Sequence, residues 1–249
     1  MATILEVHNL YKSFGGLEAV KDVSFELEKG QLLAMIGPNG AGKSTCFNLI
    51  NGQLRPDHGR IIIMGKEING SKPRDVWKLG VGRTFQITST FASMTVLENV
   101  QMALLSYHRR TNSLLRKVSQ LYVDESLELL KRVGIEDQAS RTCGVLAYGD
   151  LKRVELAVAL ANKPRLLLMD EPTAGMGPAQ RKTLMELTRN IVRTRNIGVL
   201  FTEHDMDVVF NHADRIIVLS RGELMAEGTP AEVQKNAKVK EIYLGTEIT

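Results

Sequence analysis

The sequence predicts an α/β fold, a strand-and-helix core interrupted by a block of helices. Three observations carry this expectation. Continuous apolar runs at residues 32–36, 166–169 and 198–202 have the length of strands buried on both faces. Each is followed by a stretch of helical character, the alternation expected of a parallel sheet. A glycine-rich loop joins the first run to a helix beginning at Lys43.

The elements follow in order. Residues 4–10 and 23–27 carry short alternating or β-branched runs, separated by Phe14-Gly15-Gly16, and read as strands. After the 32–36 strand and a helix over about 43–52, residues 61–64 and 81–85 read as further strands. The middle of the chain then changes character. Thr95 with Glu98 three residues on forms a capping box, and helical periodicity covers about 96–107 and 119–133. Val154, Ala157, Val158 and Ala161 continue it at i, i+3, i+4, i+7, in an amphipathic helix from Leu151. Alternation resumes with a strand at 166–169, a helix at 178–195, a strand at 198–202 and a short helix at 205–211. Residues 215–219 and 224–226 predict a hairpin about Arg221-Gly222, and Thr229-Pro230 opens a last capped helix. One unit is expected over 1–249, with a core of 1–86 and 161–249 and a helical subdomain of about 87–160. No further regulatory domain is expected.

Composition excludes several classes. The 249 residues are 43% hydrophobic and 24% charged, ordinary for a globular chain and foreign to a disordered one. No apolar run reaches the roughly 18 residues that a membrane span needs. The two cysteines, Cys46 and Cys143, have no CxxC spacing, and the N-terminus lacks a signal-peptide pattern, so a reducing cytosol is the simplest compartment. The net charge of +4 permits anionic partners without demanding them. The basic stretch at 108–117 has no interleaved aromatics and fits no base-stacking platform, so no nucleic-acid partner is expected.

Three constellations carry chemistry. Residues 37–44, from Gly37 through Asn39, Gly40, Ala41, Gly42 and Lys43 to Ser44, match G-x-x-x-x-G-K-[ST] between a buried strand and a helix. Such glycines let backbone N–H groups converge on a polyphosphate at a helix N-terminus. Lys43 then reaches the β- and γ-phosphates, and the Ser44 hydroxyl a Mg²⁺ ion. The second constellation is the apolar strand ending in Asp170-Glu171-Pro172. Neighbouring strand residues point to opposite faces, so the two acids take different tasks: Asp170 in the Mg²⁺ shell, Glu171 on an attacking water. The third is the strand ending in Thr202-Glu203-His204-Asp205, where His204 is placed to hydrogen-bond a γ-phosphate and that water.

The order of these motifs resembles the ATP-binding cassette family over nearly the whole chain. The resemblance implies a P-loop NTPase (RecA-like) core with an antiparallel β subdomain and an inserted helical subdomain. It implies ATP and Mg²⁺, with Thr45 among the phosphate contacts. Phe14 would stack on adenine; on the residues alone, a core phenylalanine reads as well. Gln86 would reach Mg²⁺ and link the site to a membrane partner. Ala147, Tyr148, Gly149 and Asp150 occupy the signature position, which faces the nucleotide of a second cassette. Gly175, Met176, Gly177 and Pro178 lie at the dimer-contact loop. The signature departs from the usual Leu-Ser-Gly-Gly-Gln: Ala147 removes a hydroxyl, Tyr148 replaces a glycine, and Asp150 sets a carboxylate at a helix start. Pro178 stands where many members have Asp.

These departures, with Gly82-Arg-Thr-Phe-Gln86, Thr95-Val-Leu-Glu98 and the tail from Val239 to Gly245, resemble the cassettes of branched-chain amino-acid importers. The resemblance implies an ATPase at the cytoplasmic face of the membrane. Its implied partners are a second cassette chain, two membrane-spanning permease subunits and an external substrate-binding protein. Alternatives are a cassette for another substrate such as urea or amides, an exporter's ATPase, a soluble non-transport cassette and a nucleotide-regulated binding module. Met94, Met102 and residues 87–91 are candidates for permease contact; for the methionines, core packing reads equally well.

Overall fold

A computed structural model of the chain describes residues 2–84, 90–108 and 121–244, with side chains to residue 241. Gln86, residues 87–89 of the candidate contact segment, most of the basic stretch, residues 119–120 and Gly245 lie outside the described residues.

In chain order the strands are β1 (Thr3–Phe14), β2 (Leu17–Glu28), β3 (Leu32–Ile36), β4 (His58–Ile63), β5 (Lys66–Glu67), β6 (Val81–Thr84), β7 (Leu166–Asp170), β8 (Gly198–Thr202), β9 (Arg215–Ser220) and β10 (Glu223–Gly228). The helices are α1 (Lys43–Ile50), α2 (Pro73–Lys78), α3 (Val96–Tyr107), α4 (Val123–Arg132), α5 (Tyr148–Leu160), α6 (Pro178–Arg195), α7 (Met206–His212), α8 (Pro230–Lys235) and α9 (Ala237–Leu244). One sheet is antiparallel in the order β2-β1-β4-β5. The other has the order β10-β9-β3-β8-β7-β6 and is parallel except for the β10 edge.

The first hairpin is longer than the sequence suggests. Pairing runs from Thr3↔Glu28 to Phe14↔Leu17, with register shifts along the way. Its outer end is held by ladder hydrogen bonds rather than by burial, so its side chains show no apolar alternation.

β3 divides two cores. Leu32, Ala34 and Ile36 pack with the apolar faces of α3 to α7, whereas Leu33 and Met35 pack against β1, β2 and α1. Each fully buried leucine there contributes about 1.5–3 kcal/mol. The arrangement fixes register, because a one-residue slip would exchange the two faces.

Local caps behave as the sequence indicates. The Thr95 hydroxyl accepts from Glu98 N–H at 3.2 Å while the Glu98 carboxylate accepts from Thr95 N–H at 2.8 Å. Thr229 and Glu232 repeat the device on α8. α5 is a correction. It begins at Tyr148, with Ala147 as a cap that makes no side-chain hydrogen bond, rather than at Leu151. Leu151 is only the first residue on the apolar stripe. The polar first turn, with Asp150 suited to the helix dipole, precedes it.

Cys46 and Cys143 are free and buried; desolvation pushes the Cys46 thiol up to about 12. Among the described residues no helix is long and apolar enough to cross a membrane.

Candidate functional site

The C-terminal ends of β3, β7, β8 and β9 all open on one edge of the parallel sheet, the usual place for a site in such a fold. The loop after β3 turns on Gly37 (φ 153°) and Gly42 (φ 102°). A Cβ on Gly37 would meet the Leu219 carbonyl oxygen, and one on Gly42 the Ala19 carbonyl oxygen. The first intrahelical bond of α1 is Cys46 N–H to Gly42 O. The N–H groups of Lys43, Ser44 and Thr45 therefore have no partner within the helix, and the glycine cap offers no side chain to them. Three donors, a helix dipole and an open loop fit a phosphate chain.

Lys43 is buried, and its ammonium donates to the carbonyls of Gly37 at 2.6 Å and Pro38 at 3.1 Å. Burial lowers its pKa, partly offset by the carboxylates of Glu171 and Asp170.

The acid pair separates as a strand end dictates. Asp170 Oδ1 accepts from the Thr202 hydroxyl at 2.8 Å, and Oδ2 lies 3.6 Å from the Arg83 guanidinium. Arg83 also donates to Asn48 and Gln53. Burial lowers the Arg83 pKa, against the pull of Asp170. Glu171 takes a left-handed backbone, φ 47°, at a cost on the order of 1–2 kcal/mol. Its N–H donates to Thr202 Oγ1 at 3.0 Å, and Glu171 Oε1 lies 2.9 Å from His204 Nε2. Glu203 turns the other way. It is buried and accepts from Thr173 N–H (2.8 Å), Thr173 Oγ1 (2.6 Å) and His204 N–H (3.2 Å).

A cavity of about 680 Å³ joins these parts. It is lined by Phe14, Leu17, Glu18 and Ala19 from the first hairpin, Asn39 through Thr45, Glu171 and His204 from the strand ends, and Arg221. Phe14 is 46% exposed, so it is not a core side chain. The sequence-based site thus comes together from Phe14, the phosphate loop, Glu171 and His204. Leu17, Glu18, Ala19, Arg83, Glu203 and Arg221 were missed. Only the turn at Arg221-Gly222 gave a local signal.

The signature residues lie elsewhere. None of Ala147, Tyr148, Gly149 or Asp150 lines the cavity. They adjoin the 175–178 loop of the same chain: a Cβ on Gly175 would lie 3.4 Å from the Tyr148 ring, and one on Gly149 3.0 Å from the Gln180 amide. In that loop Gly175, Gly177 and Pro178 are exposed, whereas Met176 is buried in the core cluster that also holds residues of α5 and α6. An apolar side chain in an exposed loop turns inward, and Arg181 Nε fixes the turn by donating to Met176 O at 2.7 Å. Arg181 also pairs with Asp205, the N-cap of α7. Met102 is partly exposed and Met94 half-buried, both outside the apolar cores.

Ser44 and Asp170 offer only hard oxygen donors, which fit Mg²⁺. Among the described residues no cluster of three or more His, Cys, Asp or Glu side chains is arranged to hold a metal alone. A Mg²⁺ ion here would complete its shell with phosphate and water, as Mg²⁺ commonly does.

The comparisons with known proteins agree with this geometry. A family model described as ABC transporter matches residues 20–174, and one described as branched-chain amino acid ATP-binding cassette transporter matches residues 223–249. The high-affinity branched-chain amino acid transport ATP-binding proteins LivG of Salmonella typhimurium and Escherichia coli are each 38% identical over 250 residues, covering 97% of this chain and 98% of theirs. A solved ADP conformation of an ATP-binding cassette of an ABC transporter has a TM-score of 0.88 at 31% identity, covering 98% of this chain and all of that one. A dimeric post-hydrolysis cassette bound to ADP and Pi has a TM-score of 0.77 at 27% identity, covering 91% and 99%. A phosphate loop facing an acid–histidine pair, in a fold matched end to end by such cassettes, leaves one assignment: the chain belongs to the ABC transporter family, as one of its ATP-binding ATPase cassettes.

Proposed function

We propose that this chain is the ATP-hydrolysing subunit of an importer for branched-chain, hydrophobic amino acids. It would sit peripherally on the cytoplasmic face of the membrane and drive separate membrane-spanning subunits. The observation that supports the ATPase site best is the single cavity running from the phosphate loop to the Glu171–His204 pair. The substrate class rests on the named relatives, since no residue described here has the chemistry to select an amino acid. Residues of about 87–160 act as the helical subdomain, and 1–86 with 161–249 as the core.

In this reading Phe14 carries the base. The N–H groups of the phosphate loop, with Asn39, Gly40, Ala41 and Thr45 around them, hold the phosphate chain. Lys43 exchanges its loop carbonyls for the β- and γ-phosphates. Ser44, Asp170 and Gln86 would hold Mg²⁺, which would supply charge neutralisation on the phosphates. Glu171 Oε1 orients the attacking water, and His204 holds the Glu171 carboxylate and the γ-phosphate in register. Thr202 and Arg83 fix Asp170 so that the two acids keep separate tasks.

The signature at Ala147, Tyr148, Gly149 and Asp150 lies away from its own cavity, which supports its use by a second cassette chain closing head to tail. Its contribution there is the N–H groups of Tyr148 and Gly149 at the start of α5, where those of Asp150 and Leu151 already donate to Ala147 O, with Gly175, Gly177 and Pro178 alongside. Two permease subunits complete the transporter, and an external substrate-binding protein acts through them. The test is co-purification from membranes, followed by ATPase assay in reconstituted vesicles. Turnover stimulated by leucine-type substrates supports the reading. A complex that transports another solute, or exports, overturns the substrate assignment. A wild-type complex without ATPase activity overturns the enzyme.

A further inference from the structure

We propose that Arg221 is a nucleotide-binding residue, contacting the phosphate nearest the sugar from the turn that braces the phosphate loop. The proposal rests on the nucleotide reading of the cavity and adds a residue that no motif supplies.

Arg221 lines the cavity together with Phe14 and the phosphate loop. Its backbone is left-handed, φ 51°, in the β9–β10 turn. That turn is sewn to both sides of the site. Gly222 N–H donates to Ala41 O at 3.1 Å, and Lys21 N–H donates to Gly222 O at 2.8 Å. Gly222 Cα would lie 3.6 Å from a Cβ on Gly42. The turn therefore has a fixed position against the loop, and Arg221 projects from a braced point rather than a loose hairpin.

Charge supports the same role. The other cations near this end are engaged: Lys12 with Asp57 at 2.6 Å, and Lys21 with Glu223 at 2.7 Å. Lys43 lies at the loop and serves the distal phosphates. Arg221 forms no ion pair among the described residues, and it is exposed. A guanidinium at the cavity that pairs with neither lining carboxylate, Glu18 or Glu171, suits phosphate oxygens, which it can meet with two parallel N–H donors. The contacts of the turn select which phosphate: those of Gly222 run to Ala19, Lys21 and Ala41 rather than to Glu171 or His204.

The experiment is equilibrium binding of fluorescent ADP and ATP analogues to the full chain, for wild type, Arg221→Ala, Arg221→Gln and Arg221→Lys. Unliganded melting curves check that each variant folds. For the Ala and Gln variants both dissociation constants should rise together, about 3–10-fold, and Lys should recover most of the loss. Unchanged binding in folded Ala and Gln variants, beside a wild type that binds, overturns the Arg221 role and leaves the nucleotide site standing. Weakening of ATP alone moves the contact to the γ-phosphate and overturns the assignment to the sugar side. A wild type that binds neither nucleotide overturns the ATPase reading itself.

Discussion

Thr173 gives both of its donors to one oxygen: its backbone N–H and its hydroxyl reach Glu203 Oε1 at 2.8 and 2.6 Å. The other oxygen of Glu203 receives the N–H of His204. One buried carboxylate thus ties the loop after Glu171 to the strand end that carries His204. Replacing Glu203 with Ala strands these donors, at a cost of about 1–3 kcal/mol. The expected result is a lower melting temperature, with ATP turnover down about tenfold or more at saturating nucleotide. Glu203→Gln, which keeps one acceptor, should fall between. Wild-type turnover in a folded Glu203→Ala protein would show that the tie does not position the acid and the histidine.

Glu171→Gln keeps the shape of the side chain and removes its charge. ATP binding should persist while hydrolysis drops by about 10² or more. Comparing dissociation constants with single-turnover rates checks this, and unchanged turnover removes Glu171 from the chemistry.

Two glycines of the phosphate loop separate conformational strain from lack of space. Gly42→Ala adds a Cβ against the Ala19 carbonyl oxygen at a φ of 102°. It should abolish nucleotide binding and destabilise the chain by about 2 kcal/mol or more. Gly40→Ala, at φ 78° with nothing within 4 Å, should cost only about 1 kcal/mol. Melting curves of the pair, with and without nucleotide, test the contrast.

His212, in the last turn of α7, has its pKa lowered from 6.5, mainly by burial. Arg189 and Lys182 lower it further, and Glu186 opposes them. The folded state therefore prefers the neutral ring. Its contribution is fully present above pH 6.5 and is lost as pH falls through the lowered value, where the unfolded chain binds the extra proton. The melting temperature should fall between pH 7.5 and about 5, and His212→Gln should flatten that slope. An equal slope in both proteins would place the acid sensitivity elsewhere.

How much of this was legible in the sequence depended on whether the relevant residues are neighbours in the chain. The phosphate loop, the strand before it and the caps at Thr95 and Thr229 are contiguous patterns, and each has a local physical cause. The outer half of the first hairpin was not legible, because ladder hydrogen bonds rather than an apolar face hold it. α2 was missed because six residues give too little periodicity. The surroundings of Asp170 were missed for a different reason. Arg83 and Thr202 reach it from separate strands, and a polar residue at a strand end signals nothing until the sheet order is known. Arg221 was placed in a turn, but its position over the cavity depends on Lys21 and Ala41.

The sheet order also governs how the protein is made. β3, which carries the phosphate loop, lies between β8 and β9, so neither of its sheet neighbours exists until the ribosome has passed Gly198–Thr202 and then Arg215–Ser220. Through most of synthesis this apolar strand has two open edges, a state prone to aggregation. A chain cut anywhere between the end of α1 and the start of β8 would carry every residue of the phosphate loop and still hold no nucleotide. Premature termination should therefore yield a chaperone client rather than a weak ATPase.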